Sequence, residues 1–444
     1  MQTKRFILVG TGMRARDFIR PLVTEYRGAS TLVGLCDPSP ARLAFFNRAL
    51  VHEWGSTPVP NADPAGFEAL LRDQHADTVI VTTIDAVHHD YIVRALRAGC
   101  TVITEKPMTT DAAKCRLILE ASAAQTPGRV RVAFNYRWHP HRTEVRRLLA
   151  TGTIGAVKSV NLEYLLDTDH GADYFRRWHA RMDQSGGLLV HKSTHHFDLV
   201  NWWLDAIPET VFAQGQLVYY GRANALARGD AALAAYPRYT DAACAADPFN
   251  FSLRDGGVME GLYLDAEADS GYLRDQNVFR DGIDIHDQMS VLVRYRTGQL
   301  LNYSLTCFSP REGMRVTFNG DRGRLEYYEF LRAPVLDRRD PAPITPGEQP
   351  DHRIRVFPHF AAEYDVSVRS SPGGHGGADP QFAAQIFAAT PPADLHARTA
   401  GPEQGAASAL VGIAANESIR TGLPVTICDL VPLTPSARRL SELS

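Results

Sequence analysis

Three histidines fall within six residues, His191, His195 and His196, and Asp198 follows them. On a helix, His191 and His195 share a face and Asp198 lies one turn beyond His195. Such a set has two chemical uses. An imidazole exchanges a proton near neutral pH, where its ordinary pKa of about 6.5 places it. Alternatively, two imidazoles at this spacing share a divalent ion. The metal reading has to recruit His286, His375, Asp284 or Asp379 from elsewhere, and a metal-bound imidazole cannot accept a proton. Proton transfer is therefore the preferred reading, with no metal.

A second reactive group is Lys106, in the turn Glu105-Lys106-Pro107 directly after a β-branched run at 101–104. In an open parallel sheet the carboxyl ends of the strands face the ligand crevice, which is where this ammonium is expected. A third feature is Gly10-Thr11-Gly12-Met13-Arg14-Ala15, a G-x-G-x-x-A turn between a strand and a helix. Glycines there let the backbone approach a pyrophosphate, and the helix N-terminus favours its charge. Asp37, at the end of the next β-rich run, is placed to accept the adenosine ribose hydroxyls and repel a 2′-phosphate, which predicts NAD over NADP. Its other reading is a turn aspartate before Pro38.

These groups need a scaffold. Strand patterns at 6–9, 31–36, 78–82, 101–104 and 130–134 alternate with helical patterns at 13–26, 88–98 and from 110. Alternation of this kind predicts a parallel, doubly wound sheet. After about residue 155 the rhythm changes to strands at 158–166, 210–219, 288–295, 300–308, 315–319 and 324–330, with a hairpin turn at Thr297-Gly298. The expected organisation is a Rossmann domain over 1–135 and an α+β substrate and oligomerisation domain over 136–444 with a large, mostly antiparallel open sheet. A helix over 193–204 covers one face, and a helix over 405–421 packs back on the first domain. Residues 222–285 read as an irregular insertion that shapes the substrate site rather than the cofactor site, and 332–358 as a second irregular loop.

The 444 residues are 44% hydrophobic, enough for several cores, and the net charge of −3 gives no basic face for nucleic acid. No apolar run approaches the ~20 residues of a membrane span, and the N-terminus does not resemble a signal peptide, so a cytoplasmic location is expected. Cysteines at 36, 100, 115, 244, 307 and 428 lack metal spacing and are read as reduced thiols.

The G-x-G-x-x-A turn, the Glu-Lys-Pro turn and a Gly-Gly…His-x-x-Asp helix, in this order, resemble the glucose–fructose oxidoreductase/inositol dehydrogenase (Gfo/Idh/MocA) family over nearly the whole chain. The resemblance implies that Lys106 and His195 are catalytic. It implies cofactor contacts at Gly10, Thr11, Gly12, Met13, Arg14 and Asp37, at the loop Thr83, Asp85 and His88, and at Glu105, Lys106 and Asn135. It places Asn135-Tyr136-Arg137 beside the nicotinamide and substrate. The family's aspartate four residues before the histidine is here His191, and its following glycine is Ser193. The run 191–198, with Gly373-Gly-His375-Gly-Gly-Ala-Asp379-Pro, is similar to members that act on intact glycosides.

Substrate contacts are expected from Asn135, Arg137, Trp178, His179, His191, His196, Asp198 and His375. Trp138, His139, Tyr174 and Arg176 are further polar or aromatic candidates. The expected activity is hydride transfer between NAD and a ring hydroxyl, C3, of a sugar, glycoside or cyclitol, by a homo-oligomer. A redox glycosidase of the same fold is the close alternative, and a non-catalytic NAD-dependent sensor the distant one.

Overall fold

The computed structural model describes residues 3–240, 247–332, 352–369 and 374–443. Six strands form the first sheet: β1 (Lys4–Val9), β2 (Ser30–Cys36), β3 (Asn61–Ala62), β4 (Thr78–Val81), β5 (Thr101–Thr104) and β6 (Val130–Val132). Their order is β3-β2-β1-β4-β5-β6, and the paired strands are parallel. All four residues of β4 are buried, as expected of a strand covered on both faces by helices. The order reverses beside β1, and crevices for ligands open at the carboxyl ends of strands at such a switch point.

The second sheet holds nine strands in the order β14-β13-β12-β11-β7-β10-β9-β8-β15. They are β7 (Val157–Asp167), β8 (Pro208–Gln216), β9 (Gln288–Tyr295), β10 (Leu300–Ser309), β11 (Glu312–Gly320), β12 (Gly323–Arg332), β13 (His352–Pro358), β14 (Tyr364–Val366) and β15 (Val425–Thr426). All pairs are antiparallel except β7 with β10. β9 alternates buried and exposed residues, so one face meets the core and the other is open.

Two expectations need correcting. Residues 352–358 are not loop but a strand, because β12 offers them a free edge from Gly323 to Glu329; 333–351 lie outside the described residues. The insertion over 222–285 does not keep to the substrate side. The Tyr263 hydroxyl accepts the Met13 N–H (3.1 Å) at the glycine turn, and Asp269 accepts from Ser39 Oγ and the Ala41 N–H where the second helix of the first domain begins. Its Leu253 and Leu262 join the core of the first domain, and burial of this apolar surface draws the segment there.

The helix Pro402–Thr421 packs on β8 and the helix Thr194–Leu204, and also on β6 and the helix Ala112–Ala123, tying the two domains together. Cys36, Cys100, Cys115 and Cys307 are buried free thiols and Cys428 an exposed one; Cys244 lies outside the described residues. Among the described residues no helix is long and apolar enough to cross a membrane.

Candidate active site

At the carboxyl ends of β1, β4 and β5 a cleft of about 1150 Å³ opens between the domains. Gly10 (φ +90°) ends β1, and a Cβ there would lie 2.5 Å from the Thr83 nitrogen, so only glycine lets β1 approach the loop after β4. Gly12 faces open space, with the Tyr263 hydroxyl 3.8 Å from the position of a Cβ. The helix Met13–Val23 starts there without a side-chain cap or an acidic first turn, which leaves its N-terminus suited to a pyrophosphate.

Asp37 serves the turn, as one of its sequence readings has it. One carboxylate oxygen accepts the Thr11 N–H at 2.7 Å and the other the Ser39 N–H at 2.8 Å, while the residue still lines the cleft. A carboxylate has lone pairs left for ribose hydroxyls. The glycine turn, the bare helix N-terminus and Asp37 thus fit the adenosine diphosphate half of NAD. Because the two amides fix the position of the Asp37 side chain, kcat/KM is expected to be higher with NAD than with NADP. A clear NADP preference in that comparison would remove Asp37 as the discriminating group.

Thr11 is fully buried beneath the turn and only its backbone takes part. Arg14 donates to Glu105 at 2.6 Å, which fixes the Glu-Lys-Pro turn against the glycine turn. His88 lies between the carbonyls of Pro107 (2.8 Å) and Thr83 (3.1 Å), so it ties two cleft loops together from below.

Lys106 reaches across the domain boundary, its Nζ donating to the His191 carbonyl at 3.2 Å. Burial pulls its pKa down to about 8, against the opposing pull of Glu105 and Asp85. His191 Nδ1 stands 2.5 Å from Asp85 Oδ2. Burial moves the two in opposite directions, the aspartate well up and the histidine well down, so charge on either is disfavoured. His195 stacks flat on Tyr136, with centroids 3.9 Å apart, and lines the cleft. His179 lies between Trp178 (3.6 Å, stacked) and His191 (4.1 Å, edge-on), and all three reach the cleft wall. Asn135, which lines the cleft, donates to Asp379 at 3.1 Å, so the helix Gly374–Phe387 is bonded to a cleft residue from behind the wall.

Two family models match this chain. One, described as the oxidoreductase family's NAD-binding Rossmann fold, covers residues 4–134. The other, described as that family's C-terminal alpha/beta domain, covers residues 146–427. The chain belongs to the Gfo/Idh/MocA oxidoreductase family. It is 36% identical over 448 residues to YteT of Bacillus subtilis (strain 168), which bears the name of an oxidoreductase, covering 96% of this chain and 98% of that one. It is 28% identical over 211 residues to an inositol 2-dehydrogenase of Rhizobium meliloti (strain 1021), a match spanning 48% of this chain and 58% of the relative. The fold is shared with the aldose-aldose oxidoreductase of Caulobacter crescentus (TM-score 0.61, 17% identity, 96% of this chain and 100% of that one).

In this family member the structure does not bring Arg137, His196 and Asp198 to the cleft. Arg137 and Asp198 are fully buried and paired at 2.6 and 2.8 Å beneath its floor. His196 is buried against Tyr164 and bonded to the Tyr303 hydroxyl at 2.8 Å. The helix Thr194–Leu204 is buried on every face up to Trp203, so its polar residues had to find partners in the core. Trp138 and Arg176 are likewise packed in the core, against Phe382 and Tyr239 respectively, whereas Tyr174 lines the cleft.

The candidate metal ligands are not assembled either. Among the described residues the group whose ligand atoms gather within 4.8 Å is His139, His141 and His352, outside the cleft. Asp284 caps Met182 instead. His375 opens the helix Gly374–Phe387, and its side chain lies outside the described residues. Sequence reasoning missed Lys192, Arg177, Tyr263 and Tyr272 at the cleft, whereas Tyr136 lines it as the Asn-Tyr-Arg segment implied. Lys192 sat within the histidine run, where it attracted no reading; the two tyrosines of the insertion carry no local signal.

Proposed function

We propose that this NAD-binding oxidoreductase oxidises a ring hydroxyl, at C3, of a sugar, glycoside or cyclitol. One observation carries the reading: a single cleft is lined by the glycine turn, Lys106 and His195 together. NAD, when bound, supplies the hydride acceptor. The protein's own part is proton transfer and position. An alkoxide is far too basic to form unaided at neutral pH, so His195 takes the hydroxyl proton as the hydride leaves. Lys106, as an ammonium, hydrogen-bonds the same oxygen and stabilises its growing charge.

C3 is favoured because it has a hydroxyl on each side. The Asp85–His191 pair, His179 and Asn135 supply polar groups to bracket it, and such positioning is worth several kcal/mol. The exposed face of the second sheet, with Leu292 and Leu300 about half open to solvent (52% each), suits contact between copies in a homo-oligomer.

A panel of sugars, glycosides and cyclitols, read by NADH formation and product mass, tests the reading. A keto sugar with stoichiometric NADH is the expected result. Free sugar released from a glycoside without net NADH points instead to the redox glycosidase. A deuterium label at C3 is expected in the reduced cofactor; transfer only from C1 means a simple aldose dehydrogenase.

The Asp85–His191 contact favours a second assignment of the base, in which His191 takes the proton and Asp85 orients it. The pH dependence follows from Lys106 in either case. The ammonium is the active form, so activity is expected to fall on an alkaline limb near pH 8, where Lys106 loses its proton. Lys106→Arg, which stays charged, is expected to abolish that limb at reduced turnover. An alkaline limb unchanged in this variant assigns it to another group.

A further inference from the structure

The cleft is charged asymmetrically. Every acidic residue on its wall, Asp17, Asp37, Asp85, Asp90 and Glu105, comes from the first domain. Every charged residue that the second domain contributes among the described residues is a cation: Arg177, Arg181 and Lys192. Arg181 is half exposed and meets Asp183 and Asp284. Among the described residues Arg177 finds its ion pair in Asp173, which also serves Arg176 and Arg274, and its guanidinium also meets His179 at 3.3 Å.

Lys192 is the most deeply buried of the three, and hydroxyls and ring faces rather than an ion pair surround it. It is 3% exposed, and its Nζ donates to the Tyr136 hydroxyl at 3.3 Å and faces the rings of Tyr164 (5.1 Å) and Tyr136 (5.7 Å). Among the described residues no carboxylate forms an ion pair with it. Glu312 is engaged by His170 Nδ1 at 2.8 Å, and His170 Nε2 by the Tyr174 hydroxyl at 3.0 Å. A buried ammonium without a carboxylate is costly, and persists where a ligand completes it.

We infer that the substrate is a uronic acid or uronide, whose carboxylate is received by Lys192 at the second-domain wall while its ring hydroxyl meets Lys106 and His195. This rests on the sugar-oxidising reading above and names its substrate class. Lys106 is held by the carbonyl of His191, the residue before Lys192, and both lysines line the same cleft. Burial and its neighbours act on Lys192 in opposite directions, and the tyrosines and Glu312 prevail, so it stays charged through the neutral range. A monoanion suits one ammonium set among aromatic faces; a dianionic phosphate asks for several N–H donors.

The test uses the NAD-loaded protein and matched pairs that differ only at C6: methyl glucuronide with methyl glucoside, and methyl galacturonide with methyl galactoside. Their 6-phosphates form a third arm. NADH formation gives kcat and KM, and calorimetry gives binding independently of turnover. For at least one pair the uronide is expected to be preferred over its neutral partner by about tenfold to a hundredfold, the scale of a hydrogen bond to a charged group. Lys192→Met is expected to erase this preference by raising KM for the uronide far more than KM for its neutral partner.

Uronide binding that Lys192→Met abolishes, without NADH from any sugar, supports the inference while removing the dehydrogenase reading. Equal handling of both members of every pair in the wild type, lack of uronide binding included, overturns it. So does a preference for the 6-phosphates. A Lys192→Met protein that weakens both members equally makes Lys192 a structural residue and also overturns it.

Discussion

Lys106→Ala and His195→Ala are each expected to lower turnover by about 10²–10⁴-fold, the usual scale for acid–base groups, while NADH binding measured by fluorescence stays within about threefold of wild type. The two side chains enter the cleft from different domains: Lys106 from the end of β5, His195 from the first turn of the helix Thr194–Leu204. Neither belongs to the glycine turn or to Asp37, so the cofactor site survives their loss. His191→Ala supplies the comparison. If His195 is the base, His191→Ala is expected to cost about tenfold or a little more, as a positioning loss. If His191 is the base, oriented by Asp85 at 2.5 Å, the order of the two histidine variants reverses and Asp85→Asn follows His191→Ala. Near-normal turnover in Lys106→Ala removes the lysine from the mechanism, whichever histidine takes the proton.

Arg137→Met is expected to destabilise the fold by about 3–5 kcal/mol in chemical denaturation, the cost of leaving one buried charge without its partner. Both members of the pair are fully buried, and they join three elements. Arg137 sits in the segment Asn135–Trp138, Asp198 in the helix Thr194–Leu204, and Gln404 and Ser408 of the helix Pro402–Thr421 complete the network at 3.0 and 3.1 Å. Burial already holds the Asp198 carboxyl above its ordinary range, with Arg137 opposing that rise. Without the guanidinium it takes up a proton, and the folded state loses the tie among these three elements. Arg137→Met with Asp198→Leu is expected to recover most of the loss, because an apolar pair of similar volume replaces both charges. A stable Arg137→Met protein with a raised KM for the sugar returns Arg137 to the substrate site.

Much of the site was legible because its signals are local. A β-rich run, a glycine turn and a helix in succession can form only one kind of junction. The spacing to Asp37 and the Glu-Lys-Pro turn follow from the strands that precede them. The second domain declared itself through period-two alternation, as in β9. The strand over 352–358 stayed hidden because its definition depends on β12, and short proline-bounded segments read as loop until an edge is offered.

The sequence by itself determined the fold class and the cofactor turn and singled out two candidate reactive groups, since each rests on neighbours within a few positions of the chain. Only the tertiary structure decided which polar residues face the cleft. In a helix buried on all sides, as Thr194–Leu204 nearly is, periodicity does not distinguish ligand from core, and His196 and Asp198 went to the core while His195 did not. The contacts that shape the site are also remote in the chain: Asp85 with His191 across 106 residues, Met13 with Tyr263 across 250. No local pattern encodes such pairs. They arise when two domains bury apolar surface against each other and the polar groups caught between them must find partners.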